Sequence, residues 1–223
     1  MRISPEDHAR VTQAVIDAER ATDGEIVTIV AERSDRYHDV ALHWAVLAML
    51  LPLAVLAVRP DWLLAMLAWL FGGWRAAPGL QEIITALLVV ATSTFLATLL
   101  LMRYAPLRDL LTPPMTKTRR VRRRAIDLFK AGIDRRTLRR TGVLLYISLA
   151  ERRAEIVADT SLHDKVAPEI WARAMAELID HVRAGHPGEG IATAVTRLGE
   201  ILAEHLPRSA EDTNELPDRL IAL

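Results

Sequence analysis

Three side chains just after residue 158 have the chemistry of a metal site. Asp159 ends a predicted strand, and His163 and Asp164 follow it in the stretch ADTSLHDKV. Carboxylate oxygens and one imidazole could hold a divalent cation such as calcium or magnesium, and loops at strand ends often carry such ligands. The alternative is structural, with Thr160 or Ser161 capping a short helix whose first turn accommodates the acidic Asp164. The pattern leaves both interpretations open.

A second polar group lies in the stretch SDRYHDVALHW, where a strand gives way to an apolar helix. The group consists of Asp35, His38 and Asp39, with His43 one turn further. Helical spacing could place Asp39 beside His43, with His38 on the neighbouring face, which would form a collar that responds to protons or metal. The alternative is that these side chains only solvate and anchor the end of the helix.

Catalytic motifs are missing from the chain. It has no G-x-S-x-G, H-E-x-x-H, P-loop or dinucleotide fingerprint. It has no cysteine, which excludes disulfides, thiolate nucleophiles and cysteine-ligated metals. No catalytic or cofactor-binding residue is therefore predicted, and an enzymatic function is not the first expectation.

The elements that position these residues are set by the distribution of charge. Although 51% of the chain is hydrophobic, the charged residues between residues 42 and 102 are only Arg59, Asp61, Arg75 and Glu82. Leu42–Val58 and Ile83–Met102 come close to the roughly 20 apolar residues that a membrane-spanning helix needs. Trp62–Trp74 is shorter and rich in tryptophan, which favours an interfacial or re-entrant segment, with a third span as the alternative.

The stretch KTRRVRRR, Lys117–Arg124, has six cations in eight positions. Together with Arg33 and Arg36 before the first span, it gives the outer flanks many more cations than the segment between the spans. Cations on short flanks stay in the cytoplasm, so both termini are predicted to be cytoplasmic. Residues 117–124 also suit anionic lipid headgroups of the bilayer. Nucleic acid is not an expected partner, because aromatic interleaving and zinc or helix-turn-helix spacing are absent.

The charged ends of the chain predict an α+β domain. Ser4 is a favourable N-cap for a first helix, since Pro5 and two acidic residues follow it. Strands are predicted at Glu25–Glu32, Val143–Ala150 and Ala154–Asp159, and further helices at Val121–Gly132, Pro168–Ala184 and Glu189–His205. Two membrane spans would return the chain to the side it left, so that the first strand can pair with the later ones.

The succession of GEIVTIVAERSD, RTGVLLYISLAERRAEIVAD and two amphipathic helices resembles the TPM domain. This family includes thylakoid lumen acid-phosphatase-like, photosystem-repair and bacterial membrane proteins. The chain is most similar to the bacterial membrane branch, in which membrane helices are inserted after the first strand. The resemblance implies a TPM-like mixed sheet with flanking helices, interrupted by a transmembrane hairpin, in the bacterial inner membrane. In some members it also implies a divalent ion or weak phosphatase activity.

Four parts are expected along the chain: residues 1–36 and 103–206 form the TPM-like domain, 37–102 the inserted hairpin with an interfacial segment at 62–74, and 207–223 a tail. We expect an interaction or scaffold module for the assembly or maintenance of another membrane protein. The alternative is a divalent-metal-dependent, phosphatase-like enzyme at the membrane surface, in which Asp159, His163 and Asp164 hold the ion.

Overall fold

The computed structural model describes residues 3–70, 78–132, 142–159, 162, 165–209 and 220–223. The chain forms two compact units, an α+β unit of Met1–Asp35 with Pro114–Leu223 and a helical unit of Arg36–Pro113. Residues 103–113, expected at the start of the second part of the TPM-like domain, belong to the helical unit.

In chain order, the described elements are α1 Pro5–Glu19, β1 Glu25–Ala31, α2 His38–Val58, α3 Pro60–Leu70, α4 Leu80–Leu101, α5 Ala105–Leu111, α6 Pro114–Gly132, β2 Gly142–Ser148, β3 Arg153–Ala158, α7 Pro168–Ala184, α8 Pro187–His205 and β4 Ile221–Ala222. The predicted cap of α1 is present, because the Ser4 hydroxyl accepts the Asp7 N–H at 3.1 Å. The Asp7 carboxylate accepts the Ser4 N–H in return, at 3.2 Å. This reciprocal pair satisfies two of the free donors at the helix start.

The sheet has four strands in the order β3-β2-β1-β4. β1 and β2 are parallel neighbours over their full length, from Glu25 opposite Gly142 to Ala31 opposite Ser148. β3 pairs with β2 in the antiparallel direction, and β4 pairs with β1 in the parallel direction. The predicted α+β class and mixed sheet are confirmed. The short strand β4 was not predicted and lies in the segment that the sequence analysis treated as a tail.

Both faces of the two central strands are covered. On one face, α1, α7 and α8 contribute to a core that contains Val15, Leu145 and Leu198. On the other face, α6 packs against the sheet, with Val121 and Phe129 buried. Every residue of β1 and β2 is buried, which confirms the central position that the continuous apolar run of β2 predicted.

The helical unit contains two helices that are long and apolar enough to cross a membrane. α2 has 21 residues and α4 has 22, both with a mean hydropathy of 2.3. Only 17% of the most apolar window of α2 is buried, and none of the window of α4, so neither is the buried core helix of a soluble domain. α3, with 11 residues, covers part of the predicted interfacial segment. Residues 71–77 lie outside the described residues.

Candidate functional site

Asp159 directly follows β3 and is 5% exposed. Its N–H donates to the carbonyl oxygen of Gly142 at 3.2 Å, and its own carbonyl accepts the N–H of Leu162 at 3.0 Å. The main chain of Asp159 therefore closes the end of the β2–β3 pair. Buried and hydrogen-bonded in this way, the residue has a fixed position at the edge of the sheet.

The other two predicted metal ligands, His163 and Asp164, lie outside the described residues, as do the alternative caps Thr160 and Ser161. Within the described parts of the chain, no three His, Asp or Glu side chains come together as a metal site. The calcium or magnesium site therefore stays a prediction.

The residues of the second predicted polar group have separate partners. In the α+β unit, a carboxylate oxygen of Asp35 lies 3.2 Å from a guanidinium nitrogen of Arg120. In the helical unit, the Nδ1 atom of His43 lies 2.5 Å from the main-chain carbonyl oxygen of Asp39. The i,i+4 spacing of Asp39 and His43 is thus confirmed, and it places the imidazole on the backbone of the first helical turn.

A buried carboxylate in the turn between β2 and β3 organises the clearest polar cluster of the α+β unit. Glu151 is 9% exposed, and its two oxygens accept the N–H of Ser34 at 3.2 and 3.3 Å. The hydroxyl of Ser148 donates to the same carboxylate. The hydroxyl groups of Ser34 and Tyr146 lie 2.9 Å apart. We call Ser34, Tyr146, Ser148 and Glu151 the carboxylate cluster.

The carboxylate cluster is suited to holding the backbone in place. The pKa of Tyr146 is raised, chiefly because burial disfavours the ionised phenol. The hydrogen bond with Ser34 and the charge of Arg124 lower this pKa, whereas the negative charge of Glu151 raises it. The phenol therefore stays protonated at neutral pH and is no nucleophile. The carboxylate of Glu151 accepts hydrogen bonds from Ser34 and Ser148. The cluster fastens the segment that leaves β1 to the turn between β2 and β3.

Sequence reasoning did not identify the carboxylate cluster. Glu151 was interpreted only as part of a turn, although Ser148 and Glu151 both belong to the S-L-A-E-R-R stretch that carried the family resemblance. The turn also contains Arg152, with a positive φ of 50°. The available signal was the spacing of Ser148 and Glu151: a serine at the end of a buried strand with a carboxylate three residues later. This spacing allows the hydrogen bond that closes the turn.

The basic stretch forms the first half of α6 and has two faces. Val121 and Ala125 are buried against the sheet, whereas four arginines are exposed: Arg119, Arg122, Arg123 and Arg124. Near its start, the helix is fixed by Arg153, whose Nη2 donates to the carbonyl oxygen of Pro114 at 3.3 Å. The exposed side of α6 is a compact cationic surface on a rigid element.

One carboxyl group lies beneath this cationic surface. Glu155 on β3 has a raised pKa, because burial disfavours its ionised form more than the charges of Arg122 and Arg153 favour it.

Comparison with known proteins agrees with this architecture. The family model of the TPM domain matches residues 110–201, which contain β2, β3 and helices α6 and α7. The fold is also similar to the NMR structure of the BA42 protein from the psychrophilic bacterium Bizionia argentinensis, with a TM-score of 0.56 and 16% sequence identity. The likeness covers 100% of this chain and 96% of the BA42 chain. None of the curated proteins matches. Residues 110–201 are therefore similar to the TPM domain in sequence, and the chain shares its fold with the BA42 protein.

Proposed function

We propose that this protein is an integral membrane protein of the bacterial inner membrane, with its TPM domain and both termini in the cytoplasm. In this proposal, α2 and α4 cross the bilayer as a hairpin. The TPM domain is an interaction or scaffold module that assembles or maintains another membrane protein. Its cationic surface on α6 lies against anionic headgroups and so orients the domain.

The parallel pairing of β1 with β2 is the observation that carries the proposal. The whole helical unit lies between these two strands in the sequence, yet they are hydrogen-bonded neighbours over seven residues. A chain that leaves after β1 must therefore return to the same compartment before β2. Two membrane crossings satisfy this requirement, and three do not.

The lengths of the helices agree with two crossings. At 1.5 Å per residue, α2 and α4 span about 31 and 33 Å, close to the roughly 30 Å hydrocarbon core. α3, with its 11 residues, reaches only about 16 Å. Arg59 lies over the ring of Trp62 at 5.5 Å from its centroid, a pairing suited to the headgroup region at the turn of the hairpin.

The cationic surface supports the orientation. Exposed arginines on α6 lie close in sequence to the end of the hairpin, and each Lys or Arg near an anionic membrane surface contributes about 1 kcal/mol. Because α6 is anchored to the sheet by buried Val121 and Phe129, this attraction acts on the whole domain. It would hold one face of the sheet towards the membrane and leave the helices α7 and α8 for a protein partner.

Cysteine accessibility tests the topology, and the chain has no native cysteine. Suitable single-cysteine positions are Glu32 and Met115 in the α+β unit, both exposed, and Ala76 between the proposed spans. Ser34 is avoided because it belongs to the carboxylate cluster. A membrane-impermeant maleimide applied to spheroplasts should label position 76 and spare positions 32 and 115, and inverted vesicles should give the opposite pattern. Labelling of 32 and 115 from opposite sides would disprove the hairpin.

The scaffold role has a separate test. A photoreactive amino acid placed at exposed positions of α7 and α8 in native membranes should crosslink to one reproducible membrane protein. The matched control places the same group at Leu88, which is exposed on α4 and would face lipid. If the groups on α7 and α8 crosslink to many different proteins with no reproducible partner, the scaffold role is wrong, whereas the proposed membrane topology is unaffected.

A further inference from the structure

The helical unit contains a cavity of about 630 Å³. It lies where α2 begins, α4 ends and α5 begins, since residues of all three elements or their immediate flanks line it. This size falls within the roughly 300–1,000 Å³ of small-molecule sites. Neither the carboxylate cluster nor the basic stretch on α6 contributes to it.

One part of the cavity wall is cationic. Arg103 and Arg108 supply its positive charge, His38 also lines the cavity, and none of the described lining residues is acidic. Arg108 donates from Nη1 to the carbonyl oxygen of Met102 at a long 3.4 Å. Its buried Nε has no hydrogen-bond acceptor among the described residues. A buried guanidinium N–H without an acceptor is unfavourable, so this wall is prepared for an anion.

The rest of the wall is apolar. Leu96 and Leu100, one turn apart on α4, line it together with Ala41 of α2. Both leucines are open to the surroundings, at 57% and 66% exposure. The cavity therefore joins a cationic end to a strip of leucines along the outside of the hairpin. A free phosphate would use only the first of these features.

We propose that this cavity binds one anionic glycerophospholipid, with its phosphate at Arg103 and Arg108 and an acyl chain along Leu96 and Leu100. The inference rests on the proposed membrane hairpin, because a lipid reaches the leucine strip only from within a bilayer. It differs from the headgroup contacts of residues 117–124 in being a single site with a bound acyl chain. Basic pockets beside membrane helices are suited to such headgroups.

The test uses the full-length protein in detergent and native mass spectrometry. With phosphatidylglycerol, the wild-type protein should keep one lipid adduct that phosphatidylcholine does not give. Arg103→Gln together with Arg108→Gln should weaken this adduct about twenty-five-fold, at about fivefold per lost arginine. The control Arg122→Gln with Arg123→Gln removes the same charge from α6 and should keep the adduct. Glycerol 3-phosphate and inorganic phosphate should not compete at equal concentration.

The outcomes separate this inference from the proposed function. Alkaline extraction of membranes comes first, and release of the protein would overturn the hairpin and the lipid site together. If the protein stays embedded but the Arg103/Arg108 variant keeps phosphatidylglycerol as well as the control does, the lipid site is wrong and the hairpin stands. Competition by free phosphate would show a simple anion site and would also overturn the inference. Unchanged melting temperatures of both variants confirm that they are folded.

Discussion

Replacing Glu151 by Gln tests whether the carboxylate cluster holds the α+β unit together. The carboxylate accepts the N–H of Ser34 and the hydroxyl of Ser148. The glutamine amide keeps one acceptor oxygen, but its NH₂ group replaces the other oxygen that accepts the N–H of Ser34. Two hydrogen-bond donors then face each other. Hydrogen bonds to charged groups contribute about 1.5–3 kcal/mol, and a buried donor left without an acceptor is similarly unfavourable. We expect the free energy of unfolding to fall by about 2–3 kcal/mol.

The assay is thermal unfolding of the purified full-length protein in detergent, followed by circular dichroism. For a chain of this size, a loss of 1 kcal/mol lowers the melting temperature by about 2–4 °C. The Glu151→Gln variant should therefore melt roughly 4–12 °C below the wild type at neutral pH.

Glu155→Gln is the matched control, since it makes the same chemical change on the adjoining strand. Burial raises the pKa of Glu155, so its contribution to stability is complete below the ordinary value of about 4.5 and is lost as the pH rises through the folded value. Glutamine imitates the neutral form. This variant should be at least as stable as the wild type at neutral pH and should differ little from it in acid.

The comparison of the two variants can refute the role of the cluster. If Glu151→Gln melts within 2 °C of the wild type at neutral pH, the contacts of Glu151 with Ser34 and Ser148 do not stabilise the fold. A Glu155→Gln variant that melts as low as Glu151→Gln would show that any loss of negative charge on this hairpin is harmful, whatever its hydrogen bonds.

Three further predictions concern other parts of the α+β unit. Gly199→Ala would place a Cβ 2.5 Å from the Cβ of Ala18, so α1 and α8 must separate. The overpacking should lower the free energy of unfolding by about 1–3 kcal/mol, which exceeds the roughly 1 kcal/mol gained in helix propensity. In denaturant melts, adding Ala18→Gly should recover part of this loss. In an alkaline titration at 295 nm, Tyr146→Phe should remove a phenol that ionises above the ordinary value of 10.0, and a phenol lost at or below that value would contradict its burial. Deleting residues 220–223 should lower the free energy of unfolding by about 2–4 kcal/mol, because buried Leu220 and the bonds of β4 to β1 are lost; an unchanged melting temperature would show that β4 is dispensable.

Periodicity and charge contrast were sufficient to predict most of the regular elements. The apolar face of α7 and the capped start of α1 gave local signals, and β2 was recognised by its uninterrupted apolar run. The predicted start of the basic helix at Val121 was late, because the preceding turns from Pro114 onwards are dominated by polar and cationic side chains. The helix begins at Pro114, a residue that favours the first position of a helix, and so includes the cations that precede Val121.

Features that depend on distant pairs were not predictable. Ser34 and Glu151 are 117 residues apart, and their side chains separately suggest only a loop and a turn. β4 has two residues, too few for any periodic signal, and it exists because the edge of β1 supplies its partner. The position of Asp159 also depends on residues distant in the sequence, since its N–H donates to the carbonyl oxygen of Gly142.

The separation of β1 from β2 by the helical unit has a consequence for biosynthesis. As the ribosome delivers the chain, α1 and β1 emerge first, with both faces of the strand apolar and neither edge paired. Their neighbours in the sheet are made only after the whole helical unit has been translated, so the domain cannot close early. The nascent amino-terminal segment must be kept from aggregating throughout this interval, so the time needed to synthesise the helical unit bears on the yield of native protein.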